Sequence, residues 1–61
     1  MNKSEIKQVS ILAQMHKMGM AVNVALGLSA LIRSARTNKS KQALMEYADI
    51  FGVRQHPDFI I

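Results

Sequence analysis

Met18 to Ile32, MGMAVNVALGLSALI, is the longest stretch of the chain without a charge, and it lies between Lys17 and Arg33. A segment apolar on almost every side needs neighbours on every side, so the rest of the chain must be arranged to cover it. As a helix these residues reach about 22 Å, against a hydrocarbon core of about 30 Å. The run also contains Asn23, Ser29 and two glycines. Its length and its polar interruptions predict a buried core helix and disfavour a membrane role.

Little chain is left to do the covering. Sixty-one residues make one small domain. A domain of that size buries only about 60% of the surface its unfolded chain exposes. No cysteine is present to form a disulfide. His16 and His56 are forty positions apart, which is not metal-ligand spacing. With 49% of residues apolar, oligomerisation is the remaining aid to stability. A homodimer or higher assembly is therefore expected, in which a second copy closes the side of the central helix that two flanking helices leave open. The expected seam is Val24, Gly27, Leu28, Leu31 and Ile32. Asn23, Gly27, Ala30 and Ser34 form a line of small or short side chains that lets two helix backbones approach closely.

The flanking segments have helical periodicity. Ser4 is placed to cap a first helix and Glu5 to complement its dipole. Ile6, Val9, Leu12, Ala13 and Met15 then recur at three- and four-residue steps, over residues 5–18. Gly19 is placed to end that helix, and Asn23 to cap a second over residues 24–35. The rival is one unbroken helix from Ser4 to Arg36, since a lone Gly costs only about 1 kcal/mol. Thr37 to Ser40 reads as a loop, with Asn38 or Ser40 capping a third helix over residues 40–51. There Leu44, Tyr47, Ala48 and Phe51 form one face. Gly52 provides a stop, and Val53 is placed to fold back on Ala48. Residues 53–61 form an apolar tail. His56 precedes Pro57 and is pushed away from helical geometry. Phe59, Ile60 and Ile61 are expected to dock on the body or on a partner. The expected fold is all-α: a small three-helix unit, one domain over residues 1–61, assembling as a homodimeric helical bundle.

The formal charge of +4 is unevenly spread. No acidic residue lies between Glu5 and Glu46, whereas that interval holds Lys7, Lys17, Arg33, Arg36, Lys39 and Lys41. The cluster Arg33, Arg36, Lys39 and Lys41 marks a candidate patch for a partner or for nucleic acid. Cations near the end of the second helix also complement its dipole, and no aromatic residues are interleaved for stacking on bases. Ala48, Gly52 and Val53 have helix-turn-helix spacing, with Tyr47 and Phe51 at inward positions. The recognition helix would then span Arg54 to Ile61, where Pro57 and Asp58 break the pattern. His16, close to the apolar face of the first helix, reads as a boundary residue. No nucleophile–base pair with an orienting third group is present, and no Gly-rich phosphate loop. No catalytic residue, metal or cofactor is therefore expected. The lack of cysteine and of a leader pattern in the first seventeen residues points to the cytoplasm.

In length, lack of cysteine and helical character the chain resembles the small accessory proteins encoded in the early regions of lambdoid bacteriophages. The likeness lies in general make-up, so no functional residue is carried over from it. It implies a host-directed regulatory role exerted by binding host proteins rather than by catalysis. The leading expectation is a self-associating interaction protein with an unidentified protein partner. The alternative is a nucleic-acid-binding transcriptional regulator with a degenerate helix-turn-helix, and a membrane-associated peptide is third.

Overall fold

Two glycines with positive φ divide the chain. In a computed structural model that describes residues 1–61, Gly19 has φ +77° and Gly52 has φ +72°. A side chain at either position would be strained, because the left-handed region brings Cβ against the following carbonyl. Around them lie three helices and no strand: α1 (Lys3–Lys17), α2 (Ala21–Ser34) and α3 (Asn38–Phe51). Both glycines close the preceding helix in the same way. The Met20 N–H donates to the Met15 carbonyl and the Gly19 N–H to that of His16. The Val53 N–H donates to Ala48 and the Gly52 N–H to Asp49. These are the paired bonds of the Schellman terminus, which satisfy carbonyls left over at a helix end. The unbroken helix from Ser4 to Arg36 is thereby ruled out.

The N-terminal caps differ from those the sequence suggested. Asn2, not Ser4, caps α1. Its side chain accepts the Glu5 N–H at 2.8 Å while the Glu5 carboxylate accepts the Asn2 N–H at 2.9 Å. That reciprocal pair is a capping box, and it outcompetes a serine cap two residues later because it satisfies two orphan donors at once. Thr37, not Asn38 or Ser40, caps α3 by accepting the Ser40 N–H at 3.1 Å. Asn23 caps nothing. Helix α2 already starts at Ala21, directly after the Gly19 terminus, and its N-cap Met20 makes no side-chain bond.

The helices run up, down and up. Glu5 at the start of α1 meets Ser40 near the start of α3, with the Ser40 hydroxyl 3.2 Å from the carboxylate. His16 at the other end of α1 meets Phe51 at the end of α3, ring centres 5.0 Å apart. Helices α1 and α3 are therefore parallel, and α2 packs antiparallel to both. The core takes Val9 and Leu12 from α1, Val24, Ala25, Leu28 and Ile32 from α2, and Leu44 and Ala48 from α3. Ala35 and Val53 complete it. Full burial of a side chain such as Leu28 or Leu44 contributes about 1.5–3 kcal/mol. No helix is long and apolar enough to cross a membrane.

The tail is the fourth element of cover. From Val53 it proceeds through turns closed by His56 N–H to Val53 O and Phe59 N–H to His56 O. It then lies along the side of α2 that α1 leaves free. Phe59 packs against the core, as the sequence suggested for these residues, while the Ile60 and Ile61 side chains stay exposed.

Candidate functional site

Ser29 and Arg33 hold the tail in place. A serine inside a helix bonds back to the carbonyl four residues earlier. Ser29 does so, donating to Ala25 O at 2.6 Å, and its oxygen accepts the Ile60 N–H at 2.9 Å. One turn along, the Arg33 guanidinium donates to the Ile60 carbonyl at 2.6 Å. Both backbone groups of Ile60 are thus recognised by α2 side chains. Sequence reasoning missed Ser29, although a serine flanked by Ala25, Leu28 and Ile32 was a signal: its hydroxyl had to find partners inside.

The tail and α3 together cover most of the expected seam. Val24 and Leu28 are 0% exposed within the single chain, and Ile32 is also buried. Leu31 is half-buried. Gly27 faces inward to α1: a Cβ built there would lie 2.5 Å from Leu12 Cδ2. The close approach that the small side chains permit is therefore spent within one chain, on α1. Val24 and Leu28 have no surface to offer a second copy unless this bundle opens. Their place as dimer contacts is corrected on that ground.

The outer side of α2 is different. At about 100° per residue, Leu26 and Ala30 lie on the side turned away from α3, with Val22 and Arg33 along its edge toward the tail. On α1, Ile11 and Met18 are seven residues apart and turn the same way, away from Val9 and His16. The hairpin of α1 and α2 therefore has an outer face opposite α3. Its apolar side chains stay open: Leu26 is 49% exposed, Val22 47%, Ile11 40% and Met18 75%. Asn23 and Ala30 form low ground between the two helices.

The charges around this face are of one sign. Glu5 is the only acid on the hairpin, and it is tied to Asn2 and Ser40 on the side facing α3. Arg33, Arg36, Lys39 and Lys41 are all exposed around the α2–α3 connection. Arg33 gives one of its five N–H donors to the tail carbonyl, and Arg36, Lys39 and Lys41 have no carboxylate partner. Of the eight Lys and Arg side chains only Arg54 is paired with a carboxylate, Asp49 at 3.0 Å.

Where α1 and α3 begin, an open cavity of about 570 Å³ is lined by Asn2, Ser4, Leu31, Ser34, Arg36 and Thr37 among others. Its polar groups largely serve the fold: Asn2 and Thr37 cap helices, and Ser34 donates to Ala30 O. His16 stacks on Phe51, and His56 Nδ1 accepts the Asp58 N–H at 3.0 Å. The helix-turn-helix spacing resolves into the Schellman terminus of α3. Residues 53–61 form turns and irregular chain, so no recognition helix follows it.

No protein-family model, no curated protein and no solved structure matches the chain.

Proposed function

We propose that this protein is a small, non-enzymatic helical interaction protein with a regulatory role, working by docking another macromolecule. The kind of role is the one implied by its likeness to phage accessory proteins directed at host factors. One observation carries the reading. A single chain covers its own core, yet it leaves Ile11, Met18, Val22 and Leu26 open on a face that presents no acid. Monomers seldom leave contiguous apolar surface exposed unless something binds there. Ile6, Ile50, Ile60 and Ile61 are exposed as well, but Ile6 and Ile50 stand singly on α1 and α3 and the other two end the tail, whereas here four large apolar side chains share one face. A second copy of the chain remains one occupant of the reading, moved from the covered seam to this outer side. Action in the cytoplasm fits a chain without cysteine.

The test is capture from extracts of the native host, comparing the wild type with Leu26→Glu. Leu26 is exposed and Glu is a good helix former, so the fold is kept. We expect a partner retained by the wild type and lost by the variant. Retention of nucleic acid by both, falling steeply with added salt, would instead favour phosphate contacts by Arg36, Lys39 and Lys41. Retention of nothing by either would count against the reading as a whole.

A further inference from the structure

We infer that the outer face of the α1–α2 hairpin docks an amphipathic helix of another protein, apolar on one side and acidic along its edges. This rests on the interaction reading above and names the chemistry of the partner.

The shape comes first. Gly27 lets α1 and α2 approach so closely that a Cβ there would strike Leu12. On the outer side of that close approach, Asn23 and Ala30 add little bulk. Ile11 and Met18 rise on one side of this trough and Leu26 on the other. The furrow that any two packed helices leave between them receives one side of a third helix, with anchors at three- and four-residue steps, and here only the exposed Gln8 interrupts its short and apolar side chains. Methionine suits such a ridge, because its unbranched thioether adapts to different partner side chains.

Charge decides which helix fits. At about 100° per residue Lys7 stands just beyond Ile11 on α1 and Arg33 just beyond Leu26 on α2, and no Asp or Glu side chain lies on either helix between them. Glu5 points to Ser40, while Glu46 and Asp49 lie on α3 and Asp58 on the tail. Lys7 has no carboxylate partner within the chain, and Arg33 donates only to a neutral carbonyl. An acidic residue at each edge of an incoming helix meets a cation on both sides. Like-charged edges are penalised, and that discriminates between partners more than it adds affinity.

The same pattern weighs against a second copy. Two outer faces packed with their helices parallel bring Lys7 and Arg33 against the same residues of the other chain, and packed antiparallel they set those cations against its Met18 and Val22 end, where no Asp or Glu answers them. Helix α3, whose Lys39 and Lys41 offset Glu46 and Asp49, is a poor insert for the groove, since its outward side offers only Ile50 as a large apolar anchor. Duplex DNA would have to cover Ile11, Val22 and Leu26 with phosphates, which gains nothing from their apolar surface.

The experiment titrates the full-length protein, labelled for amide NMR, with four probes. These are a designed helical peptide with a leucine stripe and glutamate edges, the same peptide with lysine edges, phosphatidylglycerol-containing vesicles, and a short DNA duplex. We expect the glutamate peptide to shift the amides of Ile11, Asn23, Leu26 and Ala30 while Leu44 and Glu46 stay in place. Leu26→Glu should weaken that binding by about tenfold or more, as loss of a central anchor does. Lys7→Glu should weaken the glutamate peptide and strengthen the lysine one. Circular dichroism of both variants confirms the fold. Equal binding of the two peptides, shifts centred on α3, or no binding of the glutamate peptide overturns the inference. Vesicles or DNA binding this face in its place overturn the partner class and leave the docking role intact. A host partner captured equally by wild type and Leu26→Glu overturns the surface alone.

Discussion

Gly27 and Leu12 provide the most direct check on how α1 meets α2. In Gly27→Ala the new methyl lies 2.5 Å from Leu12 Cδ2, 3.0 Å from Cδ1 and 3.3 Å from Cγ. Leu12 is buried, so its branches cannot simply swing into solvent. Two effects then compete. Replacing Gly by Ala inside a helix gains about 1 kcal/mol of propensity. Overpacking a core contact costs about 1–3 kcal/mol. The single variant should therefore lose between about 0 and 2 kcal/mol, net of the two. In a Leu12→Ala background the three crowded atoms are gone. There the same Gly27→Ala should gain about 1 kcal/mol. The coupling between the two positions is then about 1–3 kcal/mol, within the range found for residues in contact. Urea unfolding followed by far-UV circular dichroism measures all four species. Leu12→Ala alone costs about 2–5 kcal/mol. A domain this small rarely has more than about 3–5 kcal/mol to lose, so the cycle is run with added sucrose to raise every midpoint. Zero coupling would refute the packing described for Gly27. A loss confined to self-association, with the monomer equally stable, would restore the seam between copies.

Gly52→Ala should lose about 1–2 kcal/mol, the cost of a left-handed alanine. Nothing lies within 4 Å of its Cβ, so Gly52→Asn should lose less, and comparing their urea midpoints separates backbone strain from crowding. Thr37→Ala removes the cap of α3 and should cost about 0.5–2 kcal/mol, whereas Asn38→Ala should cost almost nothing by thermal unfolding. Ser29→Ala leaves the Ile60 N–H without its acceptor. We expect faster hydrogen exchange at Ile60 and Phe59, with the exchange of Leu28 and Leu44 little changed; unchanged exchange at Ile60 would show that the tail is held by other contacts. Asp49→Asn breaks an exposed pair with Arg54 and should shift stability by less than about 1 kcal/mol.

Much of the fold was legible locally. Gly19 and Gly52 announced two of the helix ends because only glycine takes a left-handed backbone without cost. Leu44, Tyr47, Ala48 and Phe51 fixed the inward face of α3 by their spacing, and Val53 did return onto the core. Caps were less legible. Asn2, Ser4, Thr37, Asn38 and Ser40 all have side chains suited to capping, and the choice among them turned on which backbone geometry satisfied the most orphan donors.

The sequence by itself determined that this chain is helical, where two of its helix ends lie, and that its central segment must be covered. Those properties come from dihedral preference and from spacing along one segment, which neighbouring residues carry among themselves. What covers that segment was decided only in three dimensions. Apolar residues on α2 look alike in a sequence whether they meet α1, α3, the tail or another chain. Gly27 is an opening for a neighbouring backbone, and nothing along the chain says which backbone enters. The hydroxyl of Ser29 gripping Ile60 depends on a contact across thirty-one positions. It was this return of the tail, with α1 seated on Gly27, that closed the core within one chain and left the outer side of the hairpin open.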